Sequence, residues 1–151
     1  MSLSVPSLPP SAGVVARYGA AIAARDLAAM AALRTPDCVV DQVNRDAWGQ
    51  NKESLSPVEF YRSLFAAFRE LDFETVRTLA ADDSVFSEWV LRGSASGPLE
   101  APFFTGLEGG APAGRAVRLR GATLFELTGA LIRRETIYFD YLTLVIELGV
   151  K

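Results

Sequence analysis

The feature of the sequence that most constrains the fold is a pair of strand-like segments near the C-terminal end. In the first segment, Val117 to Leu127, apolar side chains alternate with others and share one face. The second segment, Leu131 to Tyr141, is rich in β-branched and aromatic residues, which favour strands. Gly129 lies in the short turn between them. The two segments therefore predict an antiparallel strand pair against which the rest of the chain packs.

The remainder of the sequence predicts helices first and strands later. Ser11 and Asp26 stand where helix N-caps are expected, and Ser56-Pro57-Val58-Glu59 has the pattern of a capping box with proline at the first helical position. Helices and strands in this order predict an α+β fold rather than alternating βαβ units. The predicted elements are a helix from Ala12, a short helix Leu27–Leu33, a strand Cys38–Val43, a helix from Pro57, and strands Phe73–Ala81 and Ser84–Ala95.

Length and composition favour one globular domain. The chain has 151 residues, of which 50% are hydrophobic and 22% charged, so it has enough apolar surface to form a core. Residues 1–11, with their prolines and serines, are interpreted as a flexible arm before a single domain at 12–151. The arm lacks the features of a signal peptide, and no apolar run reaches the length of a membrane span, so we expect a cytoplasmic protein.

The residue types present exclude several chemistries. The chain has no histidine and a single cysteine, Cys38, so the usual zinc or iron sites, a serine–histidine triad and an intrachain disulfide cannot form. A net charge of −3 gives no basic surplus for binding nucleic acid. A basic patch interleaved with Glu126 and Glu135 is interpreted as a solvated face of the sheet; its members are Arg115, Arg118, Arg120, Arg133 and Arg134.

Asp140 is the main candidate for chemistry because it lies among aromatic and aliphatic residues, between Phe139 and Tyr141. A carboxylate in apolar surroundings loses solvation, which raises its pKa toward the range useful for a general base. The alternative is a structural carboxylate that caps the segment Tyr141–Leu148.

The C-terminal region resembles the SnoaL-like polyketide cyclase group of the nuclear-transport-factor-like, ketosteroid-isomerase-like superfamily. The resemblance extends loosely over the chain from about Gly13 onward. It rests on Gly114-Arg115, Leu124–Leu127, Ile132-Arg133, Tyr138–Asp140 and Glu147–Gly149.

This resemblance implies a cone-shaped, strongly curved and mostly antiparallel sheet wrapped around the N-terminal helices. It also implies a homodimer and a cofactor-independent cyclase- or isomerase-like activity on a small apolar carbonyl compound of polyketide or steroid type, with Asp140 as general base. The sequence departs from the group in one place. Ala95, within Gly93–Gly97, stands where the group carries a histidine.

Two tyrosines, Tyr18 and Tyr138, are candidate hydroxyl donors to an enolate oxygen; the alternative is that both are core tyrosines. Apolar side chains of the central elements are candidate ligand-binding residues, or simply core. The segment Gly97–Gly114, with two adjacent phenylalanines, is either a lid or a loop packed over the core edge. The candidate ligand-binding residues are Trp48, Phe60, Phe65, Trp89, Leu91 and Phe125.

Three functions therefore remain open. The first is the enzyme described above. The second is a non-catalytic module that binds a small apolar ligand, which the replacement of the group's histidine by Ala95 favours. The third is a scaffold whose sheet mainly forms a dimer.

Overall fold

The computed structural model describes residues 8–48, 55–109 and 114–149, without the side chains of residues 47 and 48. The chain forms four helices, one 3-10 helix and five strands in the described residues. The predicted order of helices, strand, helix and four strands is confirmed. The helices are α1 Pro10–Ala23, α2 Leu27–Ala31, α3 Pro57–Ala67 and α4 Tyr141–Leu148, with a 3-10 helix Val43–Trp48; the strands are β1 Arg34–Gln42, β2 Phe68–Ala80, β3 Ser84–Ala95, β4 Arg115–Thr128 and β5 Leu131–Phe139.

All five strands belong to one curved, open sheet in the order β1-β5-β4-β3-β2. β5 pairs in parallel with β1, and the other three pairs are antiparallel. The inner face of this sheet and the helices α1 and α3 enclose the hydrophobic core, where Tyr18, Phe60 and Phe68 are fully buried. The predicted α+β fold with a mostly antiparallel sheet is therefore correct.

Two of the three predicted helix caps differ from the structure. Asp26 caps α2 as predicted, because its carboxylate accepts a hydrogen bond from the Ala29 amide at 3.0 Å. Ser56 precedes α3 without a side-chain cap bond, so the predicted capping box is wrong. α1 begins at Pro10, before its predicted start, and the Ser11 hydroxyl donates to the Ala81 carbonyl instead of capping.

The segment after β3 packs into the core, as one of the two alternatives for Gly97–Gly114 predicted. Phe103 and Phe104 are buried, and the Phe103 ring stacks on Phe139 with 5.1 Å between ring centroids. The Gln42 amide donates to the Phe103 carbonyl at 3.0 Å, and the Tyr141 hydroxyl donates to the Thr105 carbonyl at 2.6 Å. The sheet is therefore closed at this end by side chains of the loop. Residues 110–113 of the segment lie outside the described residues.

Gly121 of β4 leaves room for the ring of Trp89. A Cβ atom at Gly121 would lie 2.4 Å from the Trp89 ring, closer than real Cβ contacts. The absence of a side chain lets the indole of Trp89 lie across β4, where its Nε1 donates to Thr123 Oγ1 at 2.9 Å.

Within the part of the chain that the structure describes, no helix is long and apolar enough to cross a membrane.

Candidate functional site

The candidate site is built around Glu135, which lies on the inner face of β5. The neighbouring strand β4 advances by one residue, from Glu126 to Leu127, while β5 advances by two, from Arg134 to Ile132. Arg133 is therefore an extra residue, a β-bulge that changes the direction of the side chains that follow. Glu135 consequently points inward and is completely buried, so the predicted solvated position of this residue is wrong.

Three side chains from three other elements surround this carboxylate. The Tyr18 hydroxyl of α1 donates to Glu135 Oε2 at 2.7 Å, and the Tyr61 hydroxyl of α3 donates to Oε1 at 2.5 Å. Arg34 of β1 donates from its Nη1 atom to the Tyr18 oxygen at 3.0 Å. We call these four residues the Glu135 cluster. All four are buried, and each carboxylate oxygen has a hydrogen-bond donor.

Burial sets the protonation behaviour of the cluster. Loss of solvent raises the pKa of Glu135 to about 7, although hydrogen bonds from Tyr61 and Tyr18 and the charge of Arg34 oppose this rise. Burial and the adjacent carboxylate raise the pKa values of Tyr18 and Tyr61 well above the ordinary range, so both phenols stay neutral. The group that gains and loses a proton near neutral pH is therefore Glu135.

A small apolar cavity lies beside the cluster, bordered by α1, α3 and the inner face of the sheet. Its volume is about 30 Å³, which is room for roughly one water molecule. Tyr61 belongs both to the cavity wall and to the Glu135 cluster, so it connects the two. The remaining lining residues are Val15, Gly19, Ile22, Phe60, Leu64, Phe73, Thr75, Ser87, Trp89, Leu91, Phe103, Thr123, Phe125 and Ile137.

Four of the predicted ligand-binding residues border this cavity. They are Phe60 of α3, Trp89 and Leu91 of β3, and Phe125 of β4. Phe65 is buried in the core but does not line the cavity. The side chain of Trp48 lies outside the described residues. Contact of the four residues with a ligand stays a prediction.

Asp140 does not lie in the cavity. It is the N-cap of α4, where its carboxylate accepts hydrogen bonds from the Thr143 amide at 3.1 Å and the Thr143 hydroxyl at 2.6 Å. The side chain is exposed, and these bonds from Thr143 lower its pKa. The predicted desolvated carboxylate is therefore wrong, because β5 ends at Phe139 and Asp140 begins the helix that follows.

The two candidate tyrosines lie in different environments, one buried and one partly exposed. Tyr18 is fully buried and donates to Glu135, as described above. Tyr138 lies on the outer face of β5 and is 46% exposed, so its predicted position in the pocket is wrong.

The thiol of Cys38 lies near the cluster. Burial, followed by the charge of Glu135, raises the pKa of the Cys38 thiol to about 12, so the thiol is protonated at neutral pH. Within the described residues, no group of three or more His, Cys, Asp or Glu side chains is arranged to hold a metal ion.

Comparison with known proteins assigns the chain to a family. The family model of the SnoaL-like domain matches residues 15–135. The chain belongs to the SnoaL-like domain family. The matched range contains all four residues of the Glu135 cluster and ends before Asp140. No curated protein matches the chain in sequence.

Solved structures share the fold of this SnoaL-like protein. A proposed SnoaL-like polyketide cyclase from Jannaschia sp. CCS1 has a TM-score of 0.75 and 16% identity, with 100% of this chain and 99% of that chain covered. AclR, a proposed hydroxylase from Streptomyces galilaeus, has a TM-score of 0.76 and 17% identity over 95% and 83% of the two chains. IdmH, a proposed polyketide cyclase from Streptomyces antibioticus, has a TM-score of 0.66 and 18% identity over 93% and 99%. At these identities the likeness concerns the fold alone.

The raised pKa of Glu135 predicts a specific pH dependence of stability. Between about pH 4.5 and about pH 7 the folded protein keeps a proton that the unfolded chain has lost, so the free energy of unfolding falls as pH rises. The full effect is roughly 3 kcal/mol. In Glu135→Gln this part of the decline should disappear, because the amide does not titrate. Urea unfolding of both proteins across this pH range measures the difference.

The matched control is Glu126→Gln, which removes a partly exposed carboxylate that pairs with Arg133 and Arg134 on the outer face. This variant should keep the pH dependence of the wild type. Equal pH dependence in the wild type and in Glu135→Gln would show that Glu135 is ionised like an ordinary surface glutamate.

Proposed function

We propose that this protein is a cofactor-independent acid–base enzyme of the cyclase or isomerase type, with Glu135 as the group that accepts the proton. The observation that carries the proposal is the buried Glu135 carboxylate, hydrogen-bonded to two phenols beside an apolar cavity. The family and the proposed polyketide cyclases of the same fold support this class of reaction. The substrate in this proposal is a small, mostly apolar compound with an acidic C–H bond next to a carbonyl group, and the cavity of about 30 Å³ must widen to hold it.

Tyr61 is the group that connects Glu135 to a bound substrate, because it lines the cavity and donates to the carboxylate. In the proposed step the substrate C–H bond breaks and its proton passes to the Tyr61 oxygen. The Tyr61 hydroxyl proton passes at the same time to Glu135, and the electron pair left on carbon moves into the carbonyl group to form an enolate. The transfer is concerted, since the raised pKa of Tyr61 disfavours a free phenolate.

Tyr18 and Arg34 position the base without contacting the substrate. The Tyr18 oxygen accepts from Arg34, so its own proton is directed to Glu135 Oε2. The ring of Tyr18 also packs edge-on against Tyr61 and Phe125, with centroids 6.1 Å and 5.8 Å apart. This arrangement fixes one carboxylate oxygen and leaves the oxygen bonded to Tyr61 for proton transfer.

The second candidate function is a ligand-binding module without turnover. One observation favours it: both oxygens of Glu135 already have donors, and the carboxylate has no exposed surface. In this case the Glu135 cluster only stabilises the fold around a binding cavity. The two functions differ in whether Glu135 moves a proton.

A probe reaction separates the two functions. 5-Nitrobenzisoxazole is a small, flat, apolar compound that opens when a base removes its C–H proton; the ring N–O bond breaks and a coloured nitrophenolate forms. The wild type should accelerate this reaction with a rate that rises with pH around a midpoint near 7. Glu135→Gln should lose about 100-fold, the usual contribution of a positioned base. Absorbance of the product measures the rate.

Two further variants make the test specific. Tyr61→Phe should also lose most of the rate, because it removes the hydroxyl that relays the proton. Asp140→Asn should react like the wild type, since asparagine is also a good N-cap and Asp140 lies outside the cavity. A rate that survives Glu135→Gln would overturn the proposed base, and a rate lost only in Asp140→Asn would assign the base to Asp140. Binding of the probe without any reaction supports the second function.

We also propose that the protein forms a homodimer through the outer face of its sheet. Apolar side chains of three adjacent strands meet there, and Phe86 and Tyr138 are 39% and 46% exposed. Ala122 is paired directly with Tyr138, and Leu124 with Phe86. We call these four residues the outer patch. A second copy of the same patch would cover this apolar surface.

The dimer predicts a mass of twice 16.3 kDa in light scattering at micromolar concentration. The double variant Phe86→Glu with Tyr138→Glu should be a monomer, because it places charges at the centre of the outer patch. Val58→Glu, on the exposed side of α3, is the control and should remain a dimer. A monomeric wild type would contradict the proposal.

A further inference from the structure

The loop after β3 covers the cavity at one end of the sheet. There Phe103 lines the cavity itself, and Phe104 behind it is completely buried. Hydrogen bonds hold the Phe103 backbone on both sides. Its amide donates to Ser63 Oγ at 3.1 Å, and its carbonyl accepts from the side-chain amide of Gln42. Access at this end would require these bonds to break.

A second boundary of the cavity lies between α1 and β2 and reaches the protein surface. Thr75 of β2 lines the cavity and is exposed to solvent. A recess of about 270 Å³ lies outside this boundary. The residues that line both the cavity and the recess are Val15, Gly19, Phe73 and Thr75. These four residues therefore form the boundary that the cavity and the recess share.

Gly19 leaves a gap the size of a methyl group in this boundary. A Cβ atom at this position would lie 3.6 Å from Thr75 Oγ1 and 3.9 Å from Phe73 Cε1, which is ordinary van der Waals contact. The glycine is therefore not required by close packing, and its backbone does not adopt a positive φ angle. A glycine inside a helix also costs up to about 1 kcal/mol relative to alanine. What glycine provides here is the space that a methyl group would fill between the helix and the strand.

β2, the strand that packs against α1, lies at the edge of the sheet, where its one neighbour among the described strands is β3. The register between Thr75 and Arg77 shifts relative to β3, so Val76 forms a bulge next to the gap. The seam between helix and strand is tied near its two ends, where Ser11 bonds Ala81 and Arg25 bonds the Arg69 carbonyl. Within the described residues, these two bonds lie near the ends of the seam and not at its middle, where Gly19 faces Thr75.

We infer that ligands enter the cavity between α1 and β2, and that Gly19 determines which molecules pass. The gap is a slot between a helix and an extended strand, lined by one aromatic ring, one hydroxyl and aliphatic surface. It admits flat, narrow, mostly apolar molecules and excludes branched or bulky ones. This inference rests on the proposed function for the identity of the substrate, but the position of the entrance can be tested without any reaction.

The test uses acrylamide, a small neutral quencher, and the fluorescence of Trp89, which borders the cavity. The chain has two tryptophans, so all variants carry Trp48→Phe. Gly19→Leu should lower the quenching of Trp89 severalfold, because the leucine fills the gap. Gly19→Ala, which fits without a clash, should lower it less. Gly13→Leu, on the exposed side of the same helix, should quench like the parent.

The reaction with 5-nitrobenzisoxazole gives an independent measurement. Gly19→Leu should lower kcat/KM and leave the pH midpoint unchanged, because access is restricted while Glu135 is untouched. If Glu135→Gln is inactive but Gly19→Leu matches the wild type in rate and in quenching, the entrance lies elsewhere and the proposed base stands. If the wild type is inactive but Gly19→Leu still protects Trp89, the entrance stands and the proposed enzyme function fails. Equal quenching of Gly19→Leu and Gly13→Leu would overturn the inference.

Discussion

The burial of one carboxylate is the constraint on which the centre of this structure depends. A carboxylate removed from water is costly unless its oxygens are hydrogen-bonded. The partners of Glu135 come from α1, α3 and β1, while Glu135 itself belongs to β5. The hydrogen bonds of the Glu135 cluster therefore fix the positions of α1 and α3 relative to the sheet. Removing any one of its members would leave a buried polar group without its partner.

The same arrangement places a titratable group, the Glu135 carboxylate, beside the apolar cavity. Hydrogen bonds alone would hold the pKa of Glu135 low, but burial outweighs them and brings it to about 7. Tyr61 donates a hydrogen bond to this carboxylate and also forms part of the wall of the apolar cavity. A site of this kind needs no metal or histidine to move a proton near neutral pH. This is relevant in a chain without histidine.

The fold could be predicted from the sequence because its signals are periodic. Alternation in Val117–Leu127 gave β4, and Asp26 marked the start of α2. The site was harder to predict because it depends on a bulge. Glu135 follows two arginines, which together indicate a solvated strand, and only the extra residue Arg133 turns it inward. Counting back by two from Ile137 would have placed Glu135 on the inner face.

The interpretation of Asp140 failed for a related reason. Its apolar neighbours indicated burial, but the strand ends one residue earlier, so Asp140 starts a helix at the surface. The boundary between strand and helix, not the local composition, decides the environment of this carboxylate. Tyr18 is a sequence candidate only as a donor to an enolate oxygen, and its bond to Glu135 is not predicted. No pattern indicates that Tyr61 meets the same partner.

The most direct test of this account is the titration of the Glu135 carboxyl carbon by carbon-13 NMR. The signal is assigned by its loss in Glu135→Gln. The account predicts a midpoint near pH 7, because burial raises the pKa of this group. A midpoint at or below the ordinary value of 4.5 would contradict it. The carboxylate would then be stabilised as an anion in the folded protein, and Glu135 could not serve as a base near neutral pH.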